Sequence, residues 1–147
     1  MTIGTPSLHQ KVRSTSKPPI IKYWMTPSPH SIGKEQKLLV AHRMMSVHKL
    51  RHLPVLEHGK LVGILSERDL FSLESLKGVE IERDCVEDAM TQDVYCVSPG
   101  AHLAEVVGEM VERKYGCTVV IDQMKVVGIF TAVDALGMLA EYLANAR

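Results

Sequence analysis

Aromatic residues are scarce in this chain, 5% of the total with a single Trp and two Phe, so its core must be aliphatic. Cysteine is scarce too. Cys85, Cys96 and Cys117 show no C-x-x-C spacing and are odd in number, which signals neither a disulfide framework nor a zinc site. Their use fits a reducing, cytoplasmic setting. Charge of one sign is missing: 17 basic residues face 17 acidic ones. A general nucleic-acid binder usually carries a basic excess, so no nucleic-acid partner is expected. No apolar run approaches the roughly 18–20 residues that span a bilayer, and the first 19 residues lack an apolar segment of signal-peptide length, so no membrane partner is expected either. Nor does any nucleophile motif stand out. Cys117 lies on an expected strand with no cue pairing it to a base. The expectation is a non-enzyme with no required cofactor.

What is present is a repeat. Gly63-Ile64-Leu65-Ser66-Glu67-Arg68-Asp69-Leu70 has a near twin in Gly128-Ile129-Phe130-Thr131-Ala132-Val133-Asp134-Ala135, 65 residues on. The same offset pairs Met25-Thr26 with Met90-Thr91, Leu38 with Leu103, Met45 with Met110, Lys49 with Lys114, Val55 with Val120 and Lys60 with Lys125. An ungapped repeat is one folding unit written twice. With 147 residues and 46% hydrophobic content, there is enough chain for two small, closely packed units.

Residues 1–19 are rich in Ser, Thr, Pro and Lys and read as a flexible basic arm, dispensable for folding. Residues 1–23 carry a charge of +4 and the remainder −4. Residues 20–25 then form a short helical lead-in, with Tyr23 and Trp24 packing on the first repeat. Thr26-Pro27-Ser28-Pro29 reads as a turn and Ser31-Ile32 as a short strand. A helix follows over 35–47, with Leu38, Ala41 and Met45 on one face. Strands at 52–56 and 61–65 flank a hairpin loop, and Ser66 opens a helix with Leu70, Leu73 and Leu76 facing inward. Residues 77–83 form a polar connector. The second repeat runs through a lead-in at 86–90 and a strand at 94–97. Its next helix shows Leu103, Val106, Val107, Met110 and Val111 at helical spacing. A hairpin of 117–121 and 125–130 turns around Asp122-Gln123. The last helix carries Leu136, Leu139, Ala140 and Leu143 on one face. Each repeat is β-α-β-β-α, over 20–83 and 84–147.

The twinned stretch supports two readings. A hydroxyl residue at a helix start followed three positions later by Asp is a capping box. The same helix start favours an anion, and the Asp can accept from two hydroxyls of a ribose. Arg51, His52 and Arg68 could complement a phosphate. At the offset of 65 they become Gly116, Cys117 and Val133, which sets the second repeat apart. His42, His48, His52 and His58 cluster in sequence. A helix-to-strand boundary separates His48 from His52, so no metal site is expected.

Met-Thr at the start, Arg51-His52-Leu53-Pro54-Val55 in the middle and Gly63-Ile64-Leu65-Ser66-x-x-Asp69 at the end resemble the cystathionine-β-synthase (CBS) domain. Two copies in tandem, over about residues 20–146, resemble a CBS pair, or Bateman module. The resemblance implies an α/β (α+β) fold of two repeats packed with pseudo-twofold symmetry, and regulatory binding of AMP, ADP, ATP or S-adenosylmethionine between them. By that resemblance Asp69 and Asp134 hold ribose hydroxyls, and Ser66 and Thr131 contact phosphate. Backbone near Ile32 and Val97 reaches the adenine, flanked by residues near Leu53, Pro54 and Thr118. The resemblance also implies a homodimer through the helices at 66–76 and 132–145, and an output passed to a regulated protein partner. The alternative is a structural dimerisation module with a degenerate pocket.

Overall fold

The computed structural model describes residues 17–75 and 78–146. Each repeat is built on a hairpin of β-rich, apolar strands. In the first, β1 (Thr26–Pro27) and β2 (Ile32–Gly33) precede α1 (Leu38–His48), β3 (His52–Glu57), β4 (Lys60–Ser66) and α2 (Glu67–Glu74). In the second, β5 (Cys96–Val97) leads to α3 (Leu103–Arg113), β6 (Cys117–Asp122), β7 (Lys125–Thr131) and α4 (Ala132–Asn145). The β3–β4 turn places His58 and Gly59 at positive φ, the geometry whose twist matches that of paired strands. The β6–β7 turn does the same at Gln123 and Met124, one residue later than expected and without a glycine. Both hairpins shift register at the same point, between Val55 and Leu56 and between Val120 and Ile121. The fold is thus mixed α/β, with two sheets in the orders β1-β7-β6-β5 and β2-β3-β4.

The lead-in segments cross over. Trp24 was expected on the first repeat but packs, with Ile21 and Met25, against the second core, formed by Leu103, Val106, Met110, Val120 and Phe130. Val86, with Ala89 and Met90, packs against the first core of Ile32, Leu38, Ala41, Met45, Leu53, Val55, Leu65 and Leu70. Tyr23 is largely exposed. Thr26-Pro27, expected as a turn, is instead a strand paired to β7, with Thr26 opposite Ile129. The mirror contact is the bridge of Thr91 to Ile64, in the same register 65 residues away. Pseudo-twofold symmetry follows from this exchange. It also explains two glycines. A Cβ on Gly63 would lie 2.6 Å from Met90 Sδ and 3.0 Å from the Thr91 carbonyl oxygen, and one on Gly128 would collide with Met25 Sδ.

The chain before the lead-in is tied to the second repeat as well. The Pro18 carbonyl accepts from Trp24 Nε1 at 2.9 Å, and the Pro19 carbonyl accepts from Leu103 N at 2.9 Å. The last residues of the expected arm are therefore bonded into the fold. The expectation for residues 1–16 lies outside the described residues.

α1 begins at Leu38 rather than at residue 35. Gln36 takes the preceding residues into a turn, its Oε1 accepting from Gly33 N at 2.9 Å. The first helical amides are satisfied from the connector: Leu38 N donates to the Asp84 carbonyl and Leu39 N to the Ile81 carbonyl. α1 and α3 end on Lys49 and Lys114, both left-handed. The strand expected over 94–97 shortens to Cys96–Val97. Leu70 is buried, Leu73 half-buried, and Leu76 lies outside the described residues. No helix among the described residues is long and apolar enough to cross a membrane.

Candidate functional site

The two twinned stretches fold identically. Ser66, extended at the end of β4, accepts from Asp69 N at 3.0 Å, while Asp69 Oδ2 accepts from Ser66 N at 3.0 Å. Thr131 and Asp134 repeat this at 3.1 and 2.8 Å. Both capping boxes are formed, so the capping reading holds in each repeat. It does not displace the ligand reading. A carboxylate has about four acceptor positions, and one amide leaves room for ribose hydroxyls. The helix-start reading is weakened in a different way. Glu67 N donates to the Arg51 carbonyl at 2.8 Å and Ala132 N to the Gly116 carbonyl at 2.9 Å. With the first and third helical amides already bonded inside the protein, an anion must be held mainly by side chains.

Those side chains converge in the first repeat. The register that sets His52 opposite Ser66 brings the start of β3 beside the start of α2. Arg51, His52, Ser66, Glu67, Arg68, Phe71 and Ser72 line a cleft of about 360 Å³. Arg51 and Arg68 are exposed at its rim, where a guanidinium fork suits an oxyanion. The imidazole of His52 is half-buried, and that burial is the main cause that holds its pKa below the usual histidine value. Asp69 and Glu67 oppose the shift and Arg51 adds to it. Asp69 is not part of the cleft lining but is linked to it through the Ser66 cap.

The other expected residues sit elsewhere. Ile32 and Leu53 are buried in the first core, and Pro54 is fully buried. Val97 packs half-buried against the second core. Thr118 is buried, and its hydroxyl already donates to the Tyr95 carbonyl at 3.1 Å. Sequence reasoning missed Glu67, Phe71 and Ser72 as lining. The signal was there in Phe71, four residues after Glu67 and so on the same helical face. It also missed that His52 Nε2 lies against Gly116, where a Cβ would come within 2.9 Å. A small residue standing opposite Arg51 in the repeat was the available cue.

The second repeat offers no such set of charges. Gly116, Cys117, Ala132, Val133, Leu136 and Gly137 take the places of the cleft residues, and Val133 and Leu136 are exposed. Burial pushes the Cys117 thiol up to about 12. His30 and His48 stack with ring centroids 3.9 Å apart, and no cluster of three or more metal-ligating residues occurs among the described residues.

Comparison with known proteins places these features in a family. A CBS domain profile matches residues 20–75 and 86–141. The chain is 34% identical over 123 residues to L-aspartate semialdehyde sulfurtransferase of Methanocaldococcus jannaschii, a match covering 81% of this chain and 21% of that protein. It thus spans about a fifth of that curated relative's length. Among solved structures, a candidate acetoin utilization protein (AcuB) from Vibrio cholerae superposes with a TM-score of 0.75 at 29% identity, covering 85% of this chain and 93% of that one. CBSX2, solved in complex with AMP, shares the fold with a TM-score of 0.73 at 23% identity, covering 83% of this chain and 97% of that one.

Proposed function

The chain belongs to the CBS domain family, and from that premise we propose that it is a regulatory module that binds an adenosine-containing ligand at the cleft beside α2. AMP, ADP, ATP and S-adenosylmethionine are the ligands to be distinguished. The observation that carries this reading is the convergence of Arg51, His52, Ser66 and Arg68 next to the capped Asp69. Cations and a hydroxyl for phosphate stand beside a carboxylate for ribose. Binding that differs between two arrangements of the interlaced repeats is all a switch requires. The output then passes to a partner protein or to the module's own oligomer, in the cytoplasm where adenylates are abundant. No catalytic role is proposed. The sulfurtransferase activity belongs to a relative of which this chain matches 21%.

Thermal-shift measurements with each ligand test the reading. A ligand at about 100 times its Kd stabilises by about 2.7 kcal/mol, which is several degrees for a chain of this size. AMP, the ligand held by CBSX2, is the first probe. If none of the four ligands raises the melting temperature, the module is a structural one.

A homodimer is part of the proposal. α4 has no buried residue, and Val133, Leu136, Leu139 and Leu143 are each at least 48% exposed. Phe71 on α2 is exposed as well. A second copy covering both helices would bury this surface, since stable interfaces bury about 1,200–2,000 Å² in total. Light scattering is expected to give a dimer mass, and Leu139→Glu to shift it towards monomer. A monomer mass for the native chain at micromolar concentration contradicts this.

A further inference from the structure

His52 is the point where the cleft touches the other repeat. Its ring lines the cleft with Arg51, Ser66 and Arg68, and its Nε2 rests on Gly116 just before β6. The charged groups around it are few. Arg51 precedes it in the chain. Glu67, Arg68 and Asp69 face it from α2, with Asp69 held by the Ser66 amide. Gly116 lies against it from just before β6, and the neighbouring Cys117, a thiol pushed up to about 12, carries no charge at neutral pH. Burial, the largest influence, holds the ring's pKa below the usual histidine value despite the two acids. A phosphate seated between the two arginines reverses that balance. It brings two negative charges to a ring already short of water, where opposite charges attract more strongly than in bulk solvent.

We propose that His52 makes this cleft selective for phosphomonoester dianions by taking up one proton from solvent as the phosphate enters, adding a third cation beside Arg51 and Arg68. The imidazolium so formed stays wedged against Gly116, so the charge appears where the two repeats meet. This rests on the adenosyl-ligand reading above and adds the class of its 5′ group. The sign of the pH dependence follows from linkage. The free ring is neutral at pH 7 and the bound ring charged, so lower pH favours the complex. The window is bounded below by the second ionisation of the phosphate itself, near about pH 6.

The test is calorimetry of AMP binding to the intact chain between pH 6.5 and 8, in pairs of buffers that differ in ionisation enthalpy. The expected result is net proton uptake approaching one per AMP, with affinity falling by up to about tenfold per pH unit as pH rises. Ionisation of AMP itself would release protons, so it cannot mimic the uptake. Adenosine, which has no phosphate, is expected to bind without uptake and with a flat pH profile. His52→Gln is expected to bind AMP more weakly, without uptake and with that same flat profile. Should this variant not fold, as its melting curve would reveal, the comparison of AMP with adenosine on the native chain decides alone. AMP binding to the native chain without proton uptake overturns the proposal and leaves the adenosyl reading standing. Failure of AMP to bind overturns the proposal, and the adenosyl reading falls with it only if ADP, ATP and S-adenosylmethionine also leave the melting temperature unmoved.

Discussion

Asp69→Asn is expected to weaken AMP binding by about 1–3 kcal/mol, while Asp134→Asn leaves it nearly unchanged. The structure separates this effect from folding. Asp69 Oδ2 accepts from the Ser66 amide, and the carbonyl of Asn keeps that acceptor. The cap therefore survives, and stability moves by only a few tenths to about 1 kcal/mol. What is lost is the other acceptor oxygen, replaced by an amide donor that meets a ribose hydroxyl unfavourably. In the second repeat the cap is the same, but the neighbours of the carboxylate are Gly116, Cys117 and Val133 instead of Arg51, His52 and Arg68. Calorimetry on both variants is the check. Equal losses would refute the asymmetry, and native affinity in both would refute the ribose assignment.

Gly63→Ala is expected to destabilise the protein by about 1–3 kcal/mol, the usual cost of overpacking. The added methyl group meets Met90 Sδ at 2.6 Å and the Thr91 carbonyl oxygen at 3.0 Å. The thioether can yield, being flexible, but the backbone carbonyl is fixed by its bridge to Ile64. Met90→Ala should also destabilise, by removing part of the cover on the first core. The informative experiment is the double variant in urea unfolding. Its cost should fall short of the sum of the two single costs by about 0.5–3 kcal/mol, because the shortened Met90 makes room for the new methyl. Additive costs would mean that the second lead-in does not sit on the first sheet in solution.

Much of this architecture was legible from the residues. The constant spacing of 65 matched the strands, both caps and the helix-end lysines Lys49 and Lys114. The crossover was not legible, and the reason is geometric. Met25 lies the same distance in sequence before Gly63 as Met90 lies before Gly128, so a repeat looks the same whether each lead-in covers its own sheet or its neighbour's. Periodicity placed the start of α1 three residues early because it does not register that the Gln36 side chain folds back onto Gly33. At the site, charge asymmetry between the repeats was readable directly. The convergence of Arg51, His52 and Arg68 needed the His52–Ser66 pairing of the hairpin to appear. The resemblance brought Leu53 and Thr118 to the ring of a ligand and the backbone near Ile32 to its adenine. They are committed to the cores or to a backbone carbonyl, which sequence alone does not record.

The exchange of lead-in segments bears on how the chain is made. On the ribosome Thr26 emerges long before Ile129, the residue it pairs with, and Ile21 emerges long before Ala101, whose carbonyl its amide reaches. The first hairpin, for its part, waits for Thr91 to close its edge. Neither half can finish while the other is still being translated. The lead-in, released well before its partners, is among the last parts to settle, and pairing such distant parts of the chain is slowed by loop-closure entropy. Until β7 is released, an apolar lead-in containing Ile21, Trp24 and Met25 stays uncovered. Synthesis rate and chaperone access over that interval therefore bear on the yield of folded protein.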